Sequence, residues 1–153
     1  MGKTLLYRLF GLGKVPKRIL PGLEREGIVL LDEGVSGSVT FRNFRAPGRR
    51  YSWRRSWFSG SLVLTGRRFA AFAFSKAIID VPIADDRINE LRCSLEDEAT
   101  LCVHFDPSAF NEAWSGSLEC RFSTPQARLF LEQLDAHGAR GDAVAAQCGP
   151  IGT

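Results

Sequence analysis

The chain lacks acid where it is richest in base. No Asp or Glu stands between Glu33 and Asp80. Cysteine is scarce: Cys93, Cys102, Cys120 and Cys148 are widely spaced. That spacing argues against a secreted disulfide framework and makes a reducing cytosol the expected setting. No apolar run approaches the ~20 residues of a membrane-spanning helix. The first residues, MGKTLLYRLFGLGK, are interrupted by Arg8 and lead to no small-residue cleavage site, so a signal peptide is not expected. The Ser or Thr that a myristoylation signal places after Gly2 is also missing.

Catalytic signatures are equally sparse. Only two histidines occur, His104 and His137. There is no G-x-S-x-G elbow, no H-E-x-x-H pair and no phosphate loop; Gly11-Leu12-Gly13-Lys14 lacks both the first glycine and the following Ser or Thr. Asp80, Asp85 and Asp86 read as a solvated turn. Cys93, Cys102, His104 and Cys120 contain no close C-x-x-C pair, so they read as small buried side chains rather than a zinc set. We expect no enzyme, no cofactor and no metal.

What is present is an arginine-rich stretch, Arg42 to Phe74. It holds Arg42, Arg45, Arg49, Arg50, Arg54, Arg55, Arg67 and Arg68, with Phe44, Tyr51, Trp53, Trp57 and Phe58 among them. Residues 34–79 carry nine basic groups and no acidic one, whereas residues 80–153 carry five basic and thirteen acidic groups. The chain is bipolar although its net charge is only +3. Such asymmetry implies either pairing of the two halves or a basic face for an anionic surface.

The hydrophobic pattern has period two over most of the chain. Ile28–Leu31, Val39–Arg45, Tyr51–Thr65, Arg68–Phe74, Ala77–Ile83, Ile88–Leu95, Leu101–Phe105 and Gly116–Phe122 read as strands. Asp32-Glu33-Gly34, Ala46-Pro47-Gly48 and Thr65-Gly66-Arg67 read as turns, and Gly60 marks a bend in the longest strand. After Phe122 the period changes. Thr124-Pro125 starts a helix whose stripe is Ala127, Phe130, Leu131 and Leu134, and Gly138 ends it. A short helix is expected over Lys3–Leu12, then an extended connection through Pro16 and Pro21. The division is residues 1–25 as helix and linker, 26–137 as one β domain with its helix, and 138–153 as a mobile tail. The fold class is mainly β: about seven antiparallel strands in a barrel or sandwich, capped by one C-terminal helix.

This layout resembles the pleckstrin-homology-like superfold over roughly residues 26–136. The segment Gly60-Ser61-Leu62-Val63-Leu64-Thr65-Gly66-Arg67-Arg68 is similar to the G-x-L-x-L-T-x-x-R hairpin of bacterial PH-like and GRAM-like domains, and Ile78-Ile79-Asp80-Val81-Pro82 to the strand after it. The helix tryptophan of eukaryotic PH domains is absent, with Phe130 the nearest equivalent. The resemblance implies phosphoinositide binding by basic residues of the first hairpin, here Arg45 to Arg55. The Lys-x-Lys/Arg signature of tight phosphoinositide sites is missing.

The functional expectation is a non-catalytic binding module in the cytoplasm, peripheral at a membrane. Its ligand-binding residues are Arg45, Arg49, Arg50, Arg54, Arg55, Arg67 and Arg68, facing anionic lipid headgroups. Leu5, Leu6, Leu9 and Phe10 are the candidate membrane anchor. The alternative is a protein-interaction module that takes an acidic protein, or a second copy of itself in a homo-oligomer. Nucleic acid is disfavoured, because the acidic half repels a polyanion.

Overall fold

The computed structural model describes residues 14–138 and 140–142. The expected helix over Lys3–Leu12 and the anchor residues Leu5, Leu6, Leu9 and Phe10 lie outside the described residues.

The chain runs through helix α1 (Leu20–Glu26), then strands β1 (Ile28–Ala46), β2 (Arg49–Thr65), β3 (Arg68–Ala73), β4 (Lys76–Pro82), β5 (Arg92–Asp97), β6 (Thr100–Phe105) and β7 (Ser115–Ser123). Helix α2 (Ala127–Ala136) and a short strand β8 (Arg140–Asp142) follow. The strands form one sheet in the order β4-β3-β2-β1-β7-β6-β5-β8. All pairings are antiparallel except β5 with β8, which is parallel. The expectation of a mainly β fold of seven antiparallel strands with a C-terminal helix holds. The expected closure does not: β4 and β8 end the sheet without pairing to each other.

Three local features depart from the sequence reading. Ile28–Leu31 and Val39–Arg45 are one strand, because Asp32-Glu33-Gly34 is a bulge and not a turn. Gly34 adopts φ 72°, and the register against β2 shifts between Glu33 and Val35. A positive φ lets one extra residue loop out while the ladder continues. Second, the extended connection ends in α1, where Pro21 takes a first-turn position that needs no N–H donor. Third, residues 86–90 form a 3₁₀ turn rather than the start of a strand, because the Asp85 carboxylate accepts from the Arg87 N–H and buries Ile88. The segment after Gly138, expected to be mobile, contributes β8.

The inner face of all seven antiparallel strands and the stripe of α2 share one core. Phe58 meets Phe122 edge-on at 5.9 Å, and Phe69 of β3 meets Phe130 of α2 at 6.3 Å. The sheet therefore curls over its own core, and α2 fills part of the opening. Gly60 makes the curl possible, since a Cβ there would lie 2.0 Å from the Phe72 carbonyl oxygen. The α2 start is tied down from β1: the Thr124 hydroxyl donates to the buried Asp32 carboxylate at 2.6 Å and accepts from the Gln126 N–H.

A second, smaller core lies on the other face of β2 and β3. Val63, Ala70 and Phe72 pack there against Val15 and Leu23. Strands buried on both faces read as continuous apolar runs, which explains LVL and FAAF in this part of the sequence.

Candidate anionic-surface site

The β1–β2 hairpin carries the arginines because its pairing extends far beyond the rest of the sheet on the β2 side. Strand β3 covers β2 only from Gly60 to Leu64. The remaining arm, Arg49 to Ser59, is paired with β1 and bears charge and aromatic rings.

The arm is stiffened on one side by stacked rings. Phe41, Phe44 and Tyr51 lie 5.0 to 6.0 Å apart, nearly parallel. Phe41 and Phe44 are three residues apart and would face opposite ways in a regular strand. Asn43, at φ 48°, reverses the alternation so that both rings face together. Trp114, just before β7, meets Phe44 edge-on at 5.6 Å. The Arg54 guanidinium lies 5.0 Å from the Tyr51 ring centre.

On the other side, Trp53, Arg55 and Trp57 form a stripe at spacing two. The Arg55 guanidinium sits 5.6 Å from the Trp53 ring and 5.9 Å from the Trp57 ring. Its Nε donates to Thr40 Oγ1 at 3.0 Å. Cation–π contacts of this kind hold a charge in place without neutralising it. All three tryptophans of the chain are exposed beside this hairpin: Trp53 by 57%, Trp57 by 70% and Trp114 by 37%. A cavity of about 410 Å³ opens next to the stripe, lined by Ser36, Ser38, Arg55, Trp57, Glu96 and Arg121 among others.

Carboxylates of the acidic half, together with Glu26, neutralise other arginines. Glu119 is buried between Arg42 at 2.8 Å and Arg121 at 3.3 Å, and Arg121 also meets Glu96 at 3.2 Å. Arg68 forks onto Glu26 at 2.8 Å and reaches Asp80 at 3.2 Å. The Arg68 fork holds the Glu26 carboxyl below its ordinary range. Among the described residues, Arg45, Arg49, Arg50, Arg54 and Arg55 form no ion pair with a carboxylate. Arg45 and Arg50 are direct cross-strand partners. Like charges placed opposite each other destabilise a hairpin unless an anion joins them.

The seven expected site residues are therefore not one group. Arg45, Arg49, Arg50, Arg54 and Arg55 share the arm. Arg67 and Arg68 lie past the far end of β2, separated from Arg49 by on the order of 50 Å of strand, and Arg68 is already paired. Sequence reasoning missed Trp114, whose place beside Phe44 depends on β7 pairing with β1.

The cysteines and histidine also divide. Cys93 and Cys120 are free thiols in the core, and burial pushes both up to about 12. Cys102, expected as a reduced thiol, is disulfide-bonded, and it is buried in the strand position beside Arg121. His104 lies on the same face as Arg121 and Glu119. Its Nε2 is hydrogen-bonded to the Ser117 hydroxyl, at the wall of a cavity of about 320 Å³. Burial, the largest effect, lowers the His104 pKa from its ordinary 6.5; Glu119 opposes this and Arg92 and Arg42 add to it. A lowered folded pKa means the fold excludes the imidazolium. That contribution to stability is complete above pH 6.5 and is lost as the pH falls through the folded value. The urea midpoint should thus drop more between neutral pH and pH ~5 in the native chain than in His104→Gln. Parallel drops would show that His104 does not carry the effect.

No helix among the described residues is long and apolar enough to cross a membrane. No protein family, characterised protein or solved structure matches this chain.

Proposed function

We propose that this protein is a non-catalytic module that attaches to anionic lipid surfaces through the β1–β2 arm. The observation that carries this reading is the set of five arginines that, among the described residues, have no carboxylate partner, two of them directly opposed, beside three exposed tryptophans. Guanidinium forks suit phosphate oxygens, giving two parallel charge-assisted bonds. Each basic residue near an anionic leaflet is worth about 1 kcal/mol. Indole rings favour the headgroup level, where one edge is apolar and the other wet. The strand order, the long first hairpin and the C-terminal helix support the pleckstrin-homology-like reading of the fold. The basic first hairpin is where that resemblance would put a headgroup.

Vesicle co-sedimentation tests the proposal. Phosphatidylcholine vesicles are compared with vesicles containing phosphatidylserine or a phosphoinositide, at low and at physiological salt. The protein should pellet with the anionic vesicles only, and less at higher salt, because exposed charges are screened. Equal pelleting with neutral vesicles, or none with any, would overturn it.

A further inference from the structure

The same arm has an open backbone edge, which is a different feature from its side chains. Strand β3 stops pairing with β2 at Gly60, and the last bond on that side runs from the Phe74 N–H to the Ser59 carbonyl at 2.9 Å. From Arg49 to Phe58, β2 is bonded to β1 and, among the described residues, to no strand on its other side. Backbone groups in an antiparallel ladder point alternately to either neighbour. Since the Ser59 carbonyl points towards β3, the N–H and C=O groups of Trp53, Arg55 and Trp57 point to the open side.

We infer that this edge takes one further strand, an extended acidic segment of another protein. A free edge of this length, roughly 30 Å at ~3.3 Å per residue, is a template for pairing and is normally shortened, bent or covered. Here it combines open backbone with arginine and exposed tryptophan, the residue types that dominate binding hot spots. Main-chain bonds would supply affinity, and alternate side chains specificity.

Charge decides the occupant. Every charged residue of β2 is an arginine. A second copy pairing edge to edge would set arginine against arginine, which is unfavourable. The terminal segments of this chain are no better: residues 1–13 hold Lys3 and Arg8 and no acid, and residues 143–153 hold no charge. Glutamates on an added strand would instead lie beside Arg54 on one face and Arg55 on the other.

The test uses the full chain without lipid, so that its outcome is separate from the vesicle experiment. Three labelled ten-residue peptides are compared: alternating Glu-Val, alternating Lys-Val, and alternating Glu-Val with every backbone nitrogen methylated, which keeps the charge but has no ladder donor. Glu-Val should bind at least about tenfold more tightly than either control. Residue-resolved amide exchange should slow at Trp53, Arg55 and Trp57 when Glu-Val is added. Exchange at Ser52, Arg54 and Ser56, already directed at β1, should be unchanged. Equal binding of the N-methylated peptide would reduce the edge to charge attraction and overturn the inference. So would absence of Glu-Val binding, or concentration-dependent protection of the three amides without peptide, which would assign the edge to a second copy.

Discussion

Replacing Arg49, Arg50, Arg54 and Arg55 together by glutamate should abolish binding to anionic vesicles and leave the fold intact. Each arginine contributes about 1 kcal/mol near an anionic leaflet. Losing four such contributions is worth about 4 kcal/mol, or a factor of roughly a thousand in affinity. The glutamates add repulsion, so this is a lower bound. The fold should survive because none of the four makes an ion pair among the described residues, and Arg45 is relieved of its like-charged partner. The Arg55 bond to Thr40 and its ring contacts are lost, a small stability change. The matched control is Arg67→Glu at the far end of β2, which should change vesicle binding little. Equal loss in the control would mean that overall charge, not the arm, makes the contact.

Glu119→Ala should be the most damaging charge substitution in the molecule, costing about 3–5 kcal/mol of stability. Glu119 is 2% exposed and lies between two guanidinium groups, themselves mostly buried. Desolvating three ions is tolerable only while they are joined. Removing the central carboxylate takes from Arg42 and Arg121 the buried anion they share, and leaves the Arg121–Glu96 pair in place. Glu119→Gln keeps acceptor oxygen but not charge and should fall between. Urea denaturation measures both. A loss below about 1 kcal/mol, the value of an exposed pair, would contradict a buried network.

These two expectations draw on different layers of legibility. The stripe of α2 follows from periodicity, because burial on one face leaves a clear mark, whereas β2 and β3 were legible as apolar runs buried on both faces. Gly138 at φ 104° follows from local backbone chemistry, whereas the helix begins later than Thr124-Pro125 suggested, at Ala127 with Gln126 as its N-cap. The continuous β1 was not legible: Asp32-Glu33-Gly34 has the composition of a turn, and its ties are distant in sequence, from Asp32 to Thr124, 92 residues away, and from Glu33 to the Val15 N–H. Helix α1 was hidden by Pro16 and Pro21, which also suit an extended linker. Within the site, composition marked the arginines but not their partners. Charge pairing is a property of register, and it is register that joins Arg42 to Glu119 while setting Arg45 against Arg50.

Tryptophan emission during titration with vesicles tests the central claim most directly, because every tryptophan in the chain lies beside the arm. The whole signal therefore reports on the proposed contact surface. With anionic vesicles the emission should shift to the blue, and lipids brominated near the headgroup should quench it; neutral vesicles should do neither. Binding without any change in emission would place the contact elsewhere on the molecule and contradict the account.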